Sequence, residues 1–303
     1  MHPTALPSKY GIGDFGETSR NFIDFLNESS TNIWQVLPLG LTSLDEFSPY
    51  SSPSSILGNR YLVDIEKLTK YEKIDIVTPQ FSNDFVQYKD VYKFKDDIFK
   101  NASKNINLQD KIFSSFLDDD LIKKHITFLI LKDLNQKSWN EWDNVYQDYS
   151  DDLFDKLIIE NTELVNFHVL TQYEFFNQWK SLKKYANDKN VQILGDIPIY
   201  VNHDSADVWL NKEMFELDET GNMELVSGAV PDSFNTEGQI WGNALYRWDL
   251  HKEDDFKYWK EKLNKSLNLY DYLRIDHFIG FFKYWSIPKG ESALNGYWRE
   301  GPR

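Results

Sequence analysis

Val191-Gln192-Ile193-Leu194-Gly195-Asp196-Ile197-Pro198-Ile199-Tyr200-Val201 is an apolar run carrying one acid, and a helical pattern stands directly before it. Across residues 161–188, Val165, Val169, Tyr173, Phe176, Trp179 and Leu182 recur at three- and four-residue steps, the repeat of one helix face. Asn187-Asp188-Lys189-Asn190 then supplies the turn residues that end it. A short continuous apolar run after such a helix reads as a strand buried on both faces. Two more runs have the same grammar. Upstream, Phe22, Phe25 and Leu26 at helical spacing precede Ile33-Trp34-Gln35-Val36-Leu37-Pro38-Leu39-Gly40; downstream, a helical stretch from Trp259 to Leu269 precedes a strand-like one from Tyr272 to Phe281. Strands alternating with helices predict βαβ units and a parallel sheet, with function at the C-terminal ends of the strands.

Composition divides the chain around these runs. Residues 1–65 are poor in charge and rich in Gly, Pro and Ser, with a glycine-spaced loop at Tyr10-Gly11-Ile12-Gly13-Asp14-Phe15-Gly16 and a turn-rich loop over Ser48 to Ser55. Residues 66–152 shift to Lys, Asp and Asn with scattered aromatics, and Leu121, His125, Phe128, Leu129 and Leu131 keep helical period there. That pattern predicts a mostly helical insertion packed against the main domain, which resumes over residues 153–303.

The 303 residues carry 33 Lys+Arg against 48 Asp+Glu, a formal charge of −15. Such a polyanion repels phosphate backbones, which argues against a nucleic-acid partner. No run approaches the ~18 apolar residues of a membrane helix, Met1-His2-Pro3 does not open like a signal peptide, and a cytoplasmic setting is the expectation. The absence of Cys excludes disulfides, thiolate metal sites and cysteine nucleophiles. Aromatics make up 16 % of the chain, which serves a core or a stacking surface for the flat apolar face of a sugar ring.

The sharpest local pattern is Leu273-Arg274-Ile275-Asp276-His277-Phe278. Residues i and i+2 of a strand share a face, so Arg274 stands beside Asp276 and favours its ionised form. An ionised Asp at a strand end suits a glycosidic nucleophile, and His277 could hold a substrate hydroxyl. The same pair equally suits a tie between neighbouring strands. Asp196 reads either as a solvated strand end or as a site carboxylate. Pro231 to Asn243, with Gln239 and Trp241, mixes amides, a stacking ring and carboxylates as a sugar site does, or forms an ordinary surface loop. Asn202-His203-Asp204 is a weak cation motif, since no His pair has the spacing of a zinc helix.

Together these blocks resemble one family. Ile12-Gly13-Asp14 after His2-Pro3-Thr4-Ala5-Leu6-Pro7, then Trp34 to Gly40, Ser48-Pro49-Tyr50 and Gly58-Asn59-Arg60-Tyr61-Leu62 look like the amino-terminal blocks of the amylomaltases, the 4-alpha-glucanotransferases or disproportionating enzymes. Gly195 to Val201, Asp204-Ser205-Ala206-Asp207-Val208-Trp209, Gly238 to Asn243 and Arg274 to Phe278 continue in the same order. The resemblance covers nearly the whole chain and is weakest in the helical insertion.

It implies a (β/α)8 TIM barrel of the alpha-amylase clan, here its N-terminal part. It implies that a segment of an α-1,4-glucan is moved, with retention, to the 4-hydroxyl of a maltooligosaccharide or glucose acceptor. Asp276 is then the nucleophile, with Arg274 and His277 flanking it. Tyr50 and Asp196 line the sugar site, and Gln239 and Trp241 belong to the loop beside the acceptor. No metal or organic cofactor is implied. The family's acid/base and transition-state carboxylates lie on later strands, so the expectation is a chain lacking the C-terminal half of the barrel; the alternative is a glucan-binding fragment without turnover. Ile279 stands where the family usually has Arg, Val230 where it has Pro, and Ser233 where it has an aromatic residue; these departures are expected to alter sugar contacts more than the fold.

Overall fold

A computed structural model describes residues 1–42, 46–72 and 75–303. Three parallel strands, β1 (Ile33–Gln35), β2 (Gln192–Ile197) and β5 (Tyr272–Ile275), form one sheet in the order β1-β2-β5. Trp34 pairs with Ile193 and Asp196 with Arg274. A second sheet, four-stranded and antiparallel, is built from β3 (Leu225–Ala229), β4 (Gln239–Ile240), β6 (Lys283–Pro288) and β7 (Tyr297–Glu300) in the order β4-β3-β6-β7. The described helices are α1 (Glu17–Glu28), α2 (Tyr88–Ser103), α3 (Lys111–Leu117), α4 (Asp120–Asn135), α5 (Asp151–Glu160), α6 (Thr162–Asp188), α7 (Ala206–Leu210), α8 (Trp248–Glu253) and α9 (Lys257–Leu269).

Helix α6 holds the parallel sheet in place. Val165, Val169, Trp179 and Leu182 are buried as their spacing predicts, while Tyr173 and Phe176 are half-buried. The Trp179 indole N–H reaches the Leu269 carbonyl at 2.8 Å, joining α6 to the end of α9. Side chains of α2, α3 and α4, among them Val91, Phe99, Phe113 and Phe128, share one buried cluster with Trp34 and Ile193. Lys95 of α2 is fully buried and donates to the Tyr61 and Val63 carbonyls at 2.7 and 3.0 Å.

Gly195 lies in the middle of β2. A Cβ there would sit 2.3 Å from the Tyr270 ring, so only glycine lets that ring cross the strand. Tyr270 in turn accepts the Leu39 N–H at 3.3 Å, which fixes the chain as it leaves β1.

The structure differs from the sequence reading in four places. β1 is three residues long and alternates exposed Ile33, buried Trp34 and exposed Gln35, so it is not buried on both faces. In α1 the buried face runs through Ser19, Ile23 and Leu26, leaving Phe25 exposed. β5 stops at Ile275; His277 takes a left-handed φ of 51°, and Phe278–Phe281 forms a 3-10 turn. The antiparallel sheet carries no periodic signal in sequence because its strands are two to six residues long.

Candidate active site

The predicted residues meet where strands β2 and β5 end. Asp196 is second to last in β2 and almost fully buried, and its register partner on β5 is Arg274. One guanidinium nitrogen, Nη1, donates to Asp196 Oδ2 at 2.7 Å, and the other, Nη2, to Asp276 Oδ1 at 2.5 Å. The tie between neighbouring strands that the R-x-D pattern suggested is therefore present. Arg274 ties two strands together and also orients the acid two residues on.

Tyr50 enters from the loop after β1 and donates its phenolic O–H to Asp196 Oδ2 at 2.7 Å. Its pKa is pushed up to about 12, first by burial and then by the Asp196 carboxylate, so at neutral pH it remains a donor. Arg274 is held more firmly charged, chiefly by Asp196. Burial lowers the pKa of His277 against the opposing pull of Asp276, which favours a neutral ring.

A second group flanks this string. The Trp241 and His277 rings meet edge to face, with centroids 4.7 Å apart. The Trp241 indole N–H donates to Gln239 Oε1 at 2.9 Å. Gln239 lies on β4, and the Trp241 main-chain N–H donates to the Ser227 carbonyl of β3 at 3.0 Å. The antiparallel sheet thus places the Trp241 ring against His277.

Two buried polar atoms at the site have no protein partner: Asp196 Oδ1 and His277 Nε2. Each is costly to bury unpaired. The weak cation motif is engaged with protein instead. His203 Nε2–H donates to the Gly221 carbonyl at 2.7 Å, and Asp204 pairs with Lys132 and accepts the Trp139 N–H at 3.2 Å. Among the described residues, no group of three or more His, Asp or Glu is placed to hold a metal.

Sequence reasoning missed the residues that pack behind Trp241 and the Tyr50 loop. Tyr200 packs between Trp241 and Tyr246, with centroids 6.3 and 5.9 Å away. Asp207 and His125 grip the loop that carries Tyr50. The Asp204-to-Trp209 motif was a signal, but its partner lies about 150 residues upstream.

Comparison with known proteins identifies the family. A family model described as 4-alpha-glucanotransferase matches residues 1–303. The 4-alpha-glucanotransferase of Clostridium butyricum is 41 % identical over 313 residues, covering all of this chain and 64 % of the relative. That of Aquifex aeolicus is 38 % identical and covered to 63 %. In structure, the chain superposes with a TM-score of 0.88, at 37 % identity, on an amylomaltase from Streptococcus agalactiae solved in complex with acarbose, covering 63 % of it. The chain thus spans just under two thirds of the length of these relatives. Its three parallel strands and helices are the N-terminal part of a TIM barrel. With the family match running from the first residue to the last, the chain belongs to the 4-alpha-glucanotransferases.

Proposed function

We propose that the residues gathered at the ends of β2 and β5 bind an α-1,4-glucan, and that Asp276 is the nucleophile of a retaining transfer to the 4-hydroxyl of an acceptor sugar. One observation carries this reading. A hydrogen-bonded string, Tyr50–Asp196–Arg274–Asp276, runs from the buried Asp196 carboxylate out to the part-exposed Arg274 and Asp276, with the Trp241 and His277 rings beside it. Sugar hydroxyls donate and accept, so a glucose ring can hydrogen-bond the part-exposed Arg274 and Asp276 while Trp241 offers a face for stacking.

In the proposed reaction Arg274 engages Asp276 Oδ1, and Oδ2 attacks the anomeric carbon to form a glucosyl ester. The leaving sugar needs a proton from a second carboxyl group about 5–5.5 Å from the nucleophile. The acceptor 4-hydroxyl, giving its proton to that same second group, now a carboxylate, then displaces Asp276 from the opposite face and restores the original configuration. Maltooligosaccharides are the proposed donors, and glucose or a shorter glucan the acceptor. Asp196 is committed to Tyr50 and Arg274, which suits it to hold a hydroxyl rather than to move a proton.

The test is incubation of the chain with maltotriose, separation of the products by chromatography, and calorimetric titration with acarbose. Saturable acarbose binding is expected. Glucose together with longer maltooligosaccharides would establish transfer by this chain. Binding without product favours a glucan-binding role, because the proton donor is not among the residues gathered here. Absence of binding overturns both readings.

A further inference from the structure

We infer that Asp207, assisted by His125, is a positioning residue that sets Tyr50 against Asp196. The inference rests on the glucan-binding reading above but is argued from the loop itself.

Residues 48–57, which carry Tyr50, contain no helix or strand. Main-chain pairing therefore does little to fix them, and side chains from distant elements take over. Asp207, in the short helix α7, is almost fully buried and accepts three hydrogen bonds. Its Oδ2 takes the Ser55 main-chain N–H at 2.8 Å. Its Oδ1 takes the Ser55 hydroxyl and, at 3.0 Å, the Tyr258 hydroxyl from α9. The neighbouring Ala206 N–H donates to the Pro53 carbonyl at 2.9 Å, so α7 holds the loop at two points.

His125 of α4 closes the other side. Its Nδ1 lies 2.7 Å from Ser54 Oγ, which itself accepts the N–H groups of Ile56 and Leu57 at 3.2 and 2.9 Å. Those two acceptances leave the Ser54 hydroxyl proton for His125, so Nδ1 is the acceptor. Burial lowers the pKa of His125, in keeping with a neutral ring. From there Ser52 Oγ donates to the Ser54 carbonyl at 2.7 Å, and Tyr50 lies two residues further on. Hydrogen bonds thus pin the loop from Ser55 back to Ser52, and two residues of chain lead from there to Tyr50.

Three donors converge on two carboxylate oxygens, and this explains the residue type. An amide of the same shape has one acceptor oxygen and cannot satisfy them all. Asp207→Asn should therefore release Ser55 or Tyr258 while disturbing packing little. Released at Ser55, the loop loses the constraint that holds Tyr50 at Asp196.

The experiment uses the 303-residue chain labelled with [13Cζ]tyrosine. Loss of one resonance in Tyr50→Phe identifies Tyr50. In Asp207→Asn that resonance is expected to move toward the position of an exposed tyrosine, and maltotriose affinity to fall about five- to tenfold. Ser55→Ala removes the hydroxyl and keeps the main-chain bond, so it should move the resonance less; it also decides the matter if Asp207→Asn fails to fold. An unmoved Tyr50 resonance in a cooperatively melting Asp207→Asn, or in Ser55→Ala should Asp207→Asn not fold, overturns the inference. If even the unsubstituted chain does not bind maltotriose, the glucan reading fails, and the resonance still decides whether Asp207 sets Tyr50.

Discussion

Tyr50 donates its phenolic proton to Asp196 at 2.7 Å across a sequence separation of 146 residues. The bond joins an irregular loop to the buried end of a strand, so it fixes the loop and completes the coordination of Asp196 Oδ2, which Arg274 also engages. Hydrogen bonds to a charged acceptor contribute about 1.5–3 kcal/mol. Tyr50→Phe is therefore expected to weaken acarbose binding about tenfold while lowering stability by about 1.5 kcal/mol, the low end of that range, since the half-buried ring stays in place. Calorimetric titration and urea unfolding measure the two effects separately, and a stability loss with unchanged affinity would remove Tyr50 from the sugar site.

Arg274 spans two acids at once, which a single ammonium cannot reproduce. Arg274→Ala leaves the buried Asp196 carboxylate with only Tyr50. Because the guanidinium is 45 % exposed, the cost is expected near the lower end of the range for a broken buried pair, about 2–3 kcal/mol. Arg274→Lys should recover part of this stability but little sugar affinity, because Asp276 loses its orientation. Equal recovery of both would show that charge alone suffices.

Four histidines are shifted below their ordinary value chiefly by burial: His2, to about 4, with His125, His251 and His277. The unfolded chain then binds more protons than the folded one as pH falls below 6.5, so stability falls with it. For each histidine the loss begins at the unfolded pKa and stops at the folded one. The expected slope between pH 7 and pH 5 is at most about 1.4 kcal/mol per pH unit per histidine. His2→Gln should make it shallower. An unfolding free energy flat over that window would contradict the buried, neutral assignment.

Lys95 shows the opposite economy. It is fully buried, bonded to two carbonyls, and 3.5 Å from Asp14, whose own pKa burial raises. Lys95→Met removes the cation and leaves two acceptors and a buried acid unpaired, a loss of about 3–5 kcal/mol. Adding Asp14→Asn should return part of it, and additive losses in the double variant would show that the two groups are not coupled.

The three-stranded parallel sheet has two outer strands, β1 and β5, and the exposed side chains near their outer edges include Ile33, Leu37 and Tyr272. Unpaired edges beside exposed apolar groups favour association. Light scattering during size exclusion is expected to show concentration-dependent oligomers. A single monomer peak across a hundredfold range of concentration would show that these edges are protected.

Much of this chain was legible locally. Helix α6 declared itself because its apolar residues keep a 3.6-residue period, and β2 because a buried strand between such helices has to be apolar throughout. The seven candidate residues were legible too, since each lies in a short motif: Ser48-Pro49-Tyr50, Gly195-Asp196, Gly238 to Asn243, and Arg274 to His277. The antiparallel sheet was not, because strands as short as Gln239–Ile240 leave no period to detect.

Residue type and near-neighbour spacing single out the candidate residues and their order, because both are properties of the chain alone. Tertiary structure alone decided that Arg274 pairs with Asp196 as well as with Asp276, and that Asp207 holds the Tyr50 loop. The first depends on the parallel register of β2 and β5, 78 residues apart at this bond, and the second on a contact spanning 152. Such pairings are set by how the strands and helices bury their apolar faces together, and no local pattern encodes that.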